Sequence, residues 1–219
     1  MKVVKNGLKK TGKQNLLCKD CGKQFQPEYR YLGADQRNKK LIIKMLLRGS
    51  GVRDCAIVAG VSTGVVLRII LIEGAKAEIR PKYRSYHKVQ IDEQWSYVGK
   101  KQKKVWMIYA ICAESSEILA ASWGRRNKTN VKRLLSKLGK LQINFFCTDE
   151  WVSFTEVLPA QKHIIGKAHT KKIEGLNTWF RTRLRRLARR TVCFSKKLLY
   201  HFLMMKIAIV NRNNRPSYI

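Results

Sequence analysis

From residue 89 onward the chain alternates strand-like and helix-like apolar patterns in a single order, and that order leaves few folds open. Residues 89–98 (VQIDEQWSYV), 105–112 (VWMIYAIC) and 117–124 (EILAASWG) are rich in β-branched and aromatic residues and predict three successive strands. The intervals between them, GKKQKK and AESS, are short enough for hairpins. Residues 128–140 place Val131, Leu134, Leu135 and Leu138 on one helical face. A short apolar run at 143–147 (INFFC) predicts a buried strand, followed by a small helix through Val157 and a last strand at 162–165. A helix over 171–190 closes the pattern, its apolar stripe formed by Ile173, Leu176, Phe180, Leu184 and Leu187.

Three antiparallel strands, helix, strand, short helix, strand, helix is the order of a ribonuclease-H-like α/β domain, expected here over 89–200 with a tail over 201–219. In that architecture the first and fourth strands are neighbours. Asp92 and Asp149 would then lie side by side at the sheet centre, and Glu174, on the helix packed behind, would close the third side. The chain has only five aspartates, and the other three (Asp20, Asp35 and Asp54) lie in its N-terminal part. Each carboxylate alone reads equally as a polar strand end or a surface charge, and Glu174 as the one acid of a solvated basic helix. Together they repel one another, which implies cations. All-oxygen ligation favours Mg2+ or Mn2+, and two such ions can clamp the attacking and leaving oxygens of a phosphodiester displacement.

Charge points to the partner. The 219 residues hold 46 Lys and Arg against 14 Asp and Glu, a net charge of +32 spread along the chain. That excess fits a nucleic-acid footprint better than a small-molecule enzyme. Residues 36–74 read as short helices: 39–48, 52–59 with Ser50 available as cap, and 63–73 capped by Ser62. Ala56, the turn glycine Gly60 and Val61 have the spacing of a helix-turn-helix, which places Arg53, Ser62, Thr63 and Arg68 against DNA. The alternative is a three-helix packing module. Residues 75–88, with Pro81 and scattered cations and tyrosines, read as a linker.

Residues 1–30 form a basic arm with the motif LCKDCGK, half of a zinc knuckle in which Cys18 and Cys21 would be ligands. Zinc takes four, and residues 1–17 hold neither Cys nor His. Free thiols are the alternative. The six cysteines, mostly single and in apolar runs, fit a reduced cytoplasmic protein. No run approaches membrane-spanning length, and no signal peptide is expected.

The blocks IDEQWSYVGKK (91–101), TDEW (148–151), GKAHTKKIE (166–174) and the following RLRRLARRTVCFSK resemble the transposases of the insertion sequence 1 family. So do LLCKDCGKQFQ and the helix-turn-helix pattern. The interval from Asp149 to Glu174 also resembles the family's short spacing. The resemblance implies that Asp92, Asp149 and Glu174 are the DDE metal ligands. It further implies that Arg181 contacts a DNA phosphate beside them, and that Lys167 and His169 help position DNA. Arg185 shares the Glu174 face of the expected helix and joins that basic surface. In one respect the chain departs from the resemblance. Family members usually carry a second CxxC pair upstream, so the knuckle is expected to be incomplete here.

The expected function is therefore an insertion-sequence DNA transposase that binds terminal inverted repeats and performs metal-dependent strand cleavage and strand transfer. A homo-oligomer is expected, because two ends must be held together. The rival readings are a nuclease of the same fold without strand transfer and a DNA-binding regulator with a dead catalytic domain.

Overall fold

The structure, a computed structural model, describes residues 2–28, 35–187 and 194–214. The basic arm is a small antiparallel sheet of β1 (Val3–Leu8), β2 (Gln14–Cys18) and β3 (Gln24–Phe25) in the order β1-β2-β3. Its second turn closes tightly. Gly22, at φ +67°, donates its N–H to the Cys18 carbonyl at 2.9 Å, and the Cys18 N–H reaches the Lys23 carbonyl at 3.0 Å.

Three helices follow: α1 (Gln36–Leu46), α2 (Val52–Val58) and α3 (Thr63–Lys76). Asp35 caps α1 through its side chain, and Ser62 caps α3 by accepting from the Val65 N–H. Ser50 does not cap α2 as expected. The chain enters that helix at Gly51, whose N–H donates to the Asp54 carboxylate at 2.9 Å, so the carboxylate three residues on satisfies the first turn instead. Gly60 takes the left-handed conformation between α2 and α3 (φ +62°), and the two helices meet at 110°.

The remaining chain is a mixed α/β layer structure. Its elements are β4 (Ser85–Tyr97), β5 (Lys104–Cys112), β6 (Ile118–Gly124), α4 (Lys128–Leu138), β7 (Gln142–Thr148), α5 (Val152–Thr155), β8 (His163–Ile165), α6 (Lys171–Arg183) and α7 (Leu198–Asn213). The five strands order as β6-β5-β4-β7-β8, with β4, β5 and β6 antiparallel and β4, β7 and β8 parallel. The first and fourth strands of this unit are thus neighbours at the sheet centre. Strand alternation gives the sheet two apolar faces. Val89, Ile91, Ile108 and Ala110 pack with Val131 and Leu134 of α4 and with Phe154 of α5. On the opposite face, Met107, Tyr109 and Ile111 pack with Ile173, Leu176 and Phe180 of α6 and with α7.

Two C-terminal expectations change. The final helix ends at Arg183, where Leu184 turns extended (φ −114°, ψ 96°) and a 3-10 turn follows at Arg185–Leu187. Leu184 and Leu187 still reach the core, so the apolar stripe is satisfied by a bend rather than by more helix. The part of the expected helix beyond residue 187 lies outside the described residues. The stretch from 201 expected as a tail is mostly α7, whose Leu203, Met204, Met205, Ile207, Ala208 and Ile209 are all buried. Polar side chains do not break it, because His201 is held between the Ser96 and Ser195 hydroxyls at 2.9 and 3.1 Å. Helix α7 packs along α3, and its Asn213 side chain both donates to and accepts from the backbone of Ile118 in β6. As a result α1, α2 and α3 share one apolar core with α6, α7 and one face of the sheet. Among the described residues no single helix is long and apolar enough to cross a membrane.

Candidate active site

The parallel pairing of β4 with β7 sets Gln90 opposite Cys147, and two residues further on brings Asp92 level with Asp149. There β7 has ended, at Thr148, while β4 runs on to Tyr97. The end of the shorter strand opens one edge of β4, and carboxylates gather in that gap. Asp149 Oδ1 accepts the Trp151 N–H at 3.1 Å, which turns the chain into α5. Asp92 Oδ1 accepts the Glu93 N–H at 2.7 Å, and its Oδ2 accepts Asn177 Nδ2 of α6 at 2.6 Å.

Glu93 is the third member. Carboxylate oxygens of Asp92, Glu93 and Asp149 lie within 4.8 Å of one another. Asp92 sits on the α6 face of β4 together with Gln90, which accepts the Ile173 N–H at 3.0 Å, and Gln94, which donates to the Asn177 carbonyl. Glu93 starts from the other face, beside the loop before α4. There Arg126 donates to Glu93 Oε1 through Nε at 2.7 Å and through a terminal nitrogen at 2.5 Å. The Arg126 guanidinium lies over two indole rings, 5.3 Å from the centroid of Trp106 and 4.2 Å from that of Trp151.

Burial dominates the electrostatics. It pushes the Asp92 carboxyl up to about 7, and the charges of Glu93 and Asp149 add to the rise, against the Glu93 N–H and the Asn177 amide that favour the anion. Burial also raises Glu93, with Arg126 opposing it. Three acids so placed are costly to ionise without a cation. Their donor set is oxygen only, which suits a hard divalent ion.

Asp92 and Asp149, paired by the sequence pattern, are brought together. Glu174 is exposed in the first turn of α6 and is not one of the three clustered carboxylates. It follows Ile173 and precedes Asn177, the two residues through which α6 is tied to Gln90 and Asp92. Lys167 and His169 are exposed on a 3-10 turn just before α6. That turn hangs from the end of β7, because the Gly166 N–H donates to the Thr148 carbonyl at 3.0 Å. Arg181 is half-buried on the last turn of α6. Arg185 does not share the Glu174 face of the helix as expected. The helix has ended before it, and its Cγ packs over Gly49 between α1 and α2. Arg53, Ser62, Thr63 and Arg68 are all exposed on α2, α3 and the turn between them. Cys18 is buried and Cys21 exposed, both free. The backbone N–H of Cys21, then that of Asp20, hold the Cys18 thiol below its ordinary range.

Sequence reasoning passed over Glu93, Arg126 and Asn177. Strand alternation puts Glu93 on the face away from Asp92, and only the early end of β7 lets it swing into the same gap. The one available signal was the adjacency of Asp92 and Glu93 before a tryptophan.

A family model described as IS1 transposase matches residues 87–211. Similar proteins include the insertion element iso-IS1n protein InsB of Shigella dysenteriae, 38% identical over 112 residues, which are 51% of this chain and 86% of that protein. The insertion element IS1 protein InsB of Shigella sonnei is 33% identical over 123 residues, covering 53% of this chain and 94% of its own. A chain in the cryo-EM structure of a simian T-cell lymphotropic virus intasome with PP2A regulatory subunit B56 gamma superposes at a TM-score of 0.39. It is 14% identical, over 78% of this chain and 64% of that one.

Proposed function

The chain belongs to the IS1 transposase family, and on that premise we propose that it cuts and joins DNA at the open end of a ribonuclease-H-like sheet. Asp92, Asp149 and Glu174 would be its acidic set. The observation that carries this reading is the placing of Asp92 beside Asp149 where β7 ends, within a cluster of carboxylates crowded enough to need a cation. Divalent ions held there, two Mg2+ or Mn2+, would supply the charge that activates an attacking oxygen and stabilises a leaving one.

The chain's own residues prepare the site. Asn177 fixes the Asp92 carboxylate, and Gln90 fixes the start of α6. Glu174 stands in the first helical turn between these two anchors, and its proposed role requires its carboxylate to turn toward bound metal. In the first reaction water attacks a phosphodiester at the element end, and the P–O3′ bond breaks to leave a 3′-hydroxyl and a 5′-phosphate. In the second, that hydroxyl attacks a target phosphodiester and displaces its 3′ oxygen. Lys167, His169 and Arg181 offer cations or donors to the phosphates alongside. Helices α2 and α3, crossing at 110°, serve as a helix-turn-helix for the terminal inverted repeats through Arg53, Ser62, Thr63 and Arg68. The turn at Cys18 and Cys21 gives two of the four ligands zinc takes, so a zinc ion there needs a second ligand pair. The protein works in the cytoplasm as an oligomer that holds two ends.

The test uses purified protein, donor DNA carrying the element ends, a target plasmid and Mg2+ or Mn2+. Joined donor–target products are expected. Simple nicks without joining would make it a nuclease, and wild type that binds DNA but never cuts would make it a regulator. Glu174→Gln should leave DNA binding within about twofold of wild type while lowering cleavage by roughly a hundredfold or more. Cleavage surviving in this variant would remove Glu174 from the set.

A further inference from the structure

We propose that Glu93 is itself a cation ligand of the acidic cluster and that Arg126 is the residue that positions it; the inference rests on the metal-dependent reading above. Its two carboxylate oxygens live in different surroundings. Oε1 receives both hydrogen bonds from Arg126. Among the described residues Oε2, buried on a side chain only 7% exposed, has no hydrogen-bond partner. A buried carboxylate oxygen without a partner costs free energy, and folded proteins seldom leave one so unless something else occupies its lone pairs. The position of Glu93 supplies the candidate, because its carboxylate lies within 4.8 Å of those of Asp92 and Asp149. A divalent cation among the three would satisfy Oε2 and relieve the repulsion in one step.

The charge balance agrees. Three carboxylates and one guanidinium leave a net negative charge, which still favours a divalent cation. Arg126 therefore does not compete the metal away; it neutralises one oxygen and leaves the other to ligate. Its fork holds the Glu93 side chain in a single orientation, and the rings of Trp106 and Trp151 hold the fork. Trp151 also donates its N–H to Asp149, so one short segment seats both the guanidinium and a second carboxylate. A surface ion pair would show neither the buried orphan oxygen nor the two-ring seat.

The experiment measures Mn2+ binding to the full chain without DNA, by electron paramagnetic resonance at fixed pH and ionic strength, with circular dichroism melts as the folding control. Glu93→Gln keeps the shape and removes the charge, and it should weaken Mn2+ binding by roughly tenfold or more. Arg126→Gln should weaken it less and broaden the Mn2+ signal as Glu93 loses its fixed orientation. Should Glu93→Gln alone unfold by stranding the guanidinium, the double variant Glu93→Gln/Arg126→Gln removes both charges and carries the same expectation. Wild-type Mn2+ affinity in the folded Glu93 variants, with Asp92→Asn losing it, overturns the role of Glu93 and leaves the metal-dependent reading standing. No Mn2+ binding by wild type, or none lost in Asp92→Asn, overturns the metal-dependent reading and this inference with it.

Discussion

Asp92 is pulled two ways: the Glu93 N–H and the Asn177 amide favour its anion, while burial and two acid neighbours disfavour it, and the second group wins. Its folded pKa, about 7, lies above the ordinary 3.8, so between these values the folded state binds a proton that the unfolded state has lost. The stability from this group is therefore fully present below 3.8 and is lost as pH rises through about 7. In chelator, the melting temperature of wild type relative to Asp92→Asn should fall as pH is raised across that window, and thermal melts at stepped pH read it directly. A pH-independent difference would mean that Asp92 is better solvated than its packing suggests. The same residue shows what a sequence discloses at this scale. Asp92 and Asp149 stand out because aspartates are scarce and both fall at strand positions. Arg126 does not, because it is one of 46 Lys and Arg residues, and nothing in RRNKT separates a cation seated on two indoles from one in water.

At the scale of elements, the contact between α3 and α7 turns on one glycine. A Cβ at Gly74 would sit 2.6 Å from Leu203 Cβ and 3.1 Å from its Cα, so the helices can approach this closely only without a side chain there. Gly74→Ala should destabilise the protein by about 1–3 kcal/mol, despite alanine's better helix propensity, because the overlap forces the helices apart. Chemical denaturation measures this, and adding Leu203→Ala should recover part of the loss; a neutral or stabilising Gly74→Ala would show that α7 gives way freely. The strands were legible from their aromatic and β-branched runs, and α4 from its apolar face. Helix α7 was not, since His201 and Lys206 interrupt its apolar run and the Ser96 and Ser195 hydroxyls that make a buried His201 acceptable come from elsewhere in the chain. The end of α6 was hidden for the opposite reason. The leucine spacing continues at helical intervals past the point where the chain bends, and Leu184 and Leu187 stay buried either way.

For the whole molecule, one apolar core runs from Ile42 and Ile70 of the N-terminal helices through α7 to Tyr109 and Phe180 behind the carboxylate cluster. Composition suggested a linker at 75–88, and a linker would let two units melt separately. A continuous core should instead give α1–α3 and the sheet one cooperative transition. Scanning calorimetry of the full chain, compared with near-ultraviolet circular dichroism, tests this; two resolved transitions would mean that the α3–α7 contact couples them weakly. Under the proposed function, the shared core also makes the protein a ruler. With α3 seated on α7 and α7 tied to β6, the helix proposed to hold a DNA end and the cluster proposed to cut it are joined through one packed core. Under that function, the bond to be broken would be chosen by length along the duplex from the bound sequence, with no need to recognise the bases at the cut.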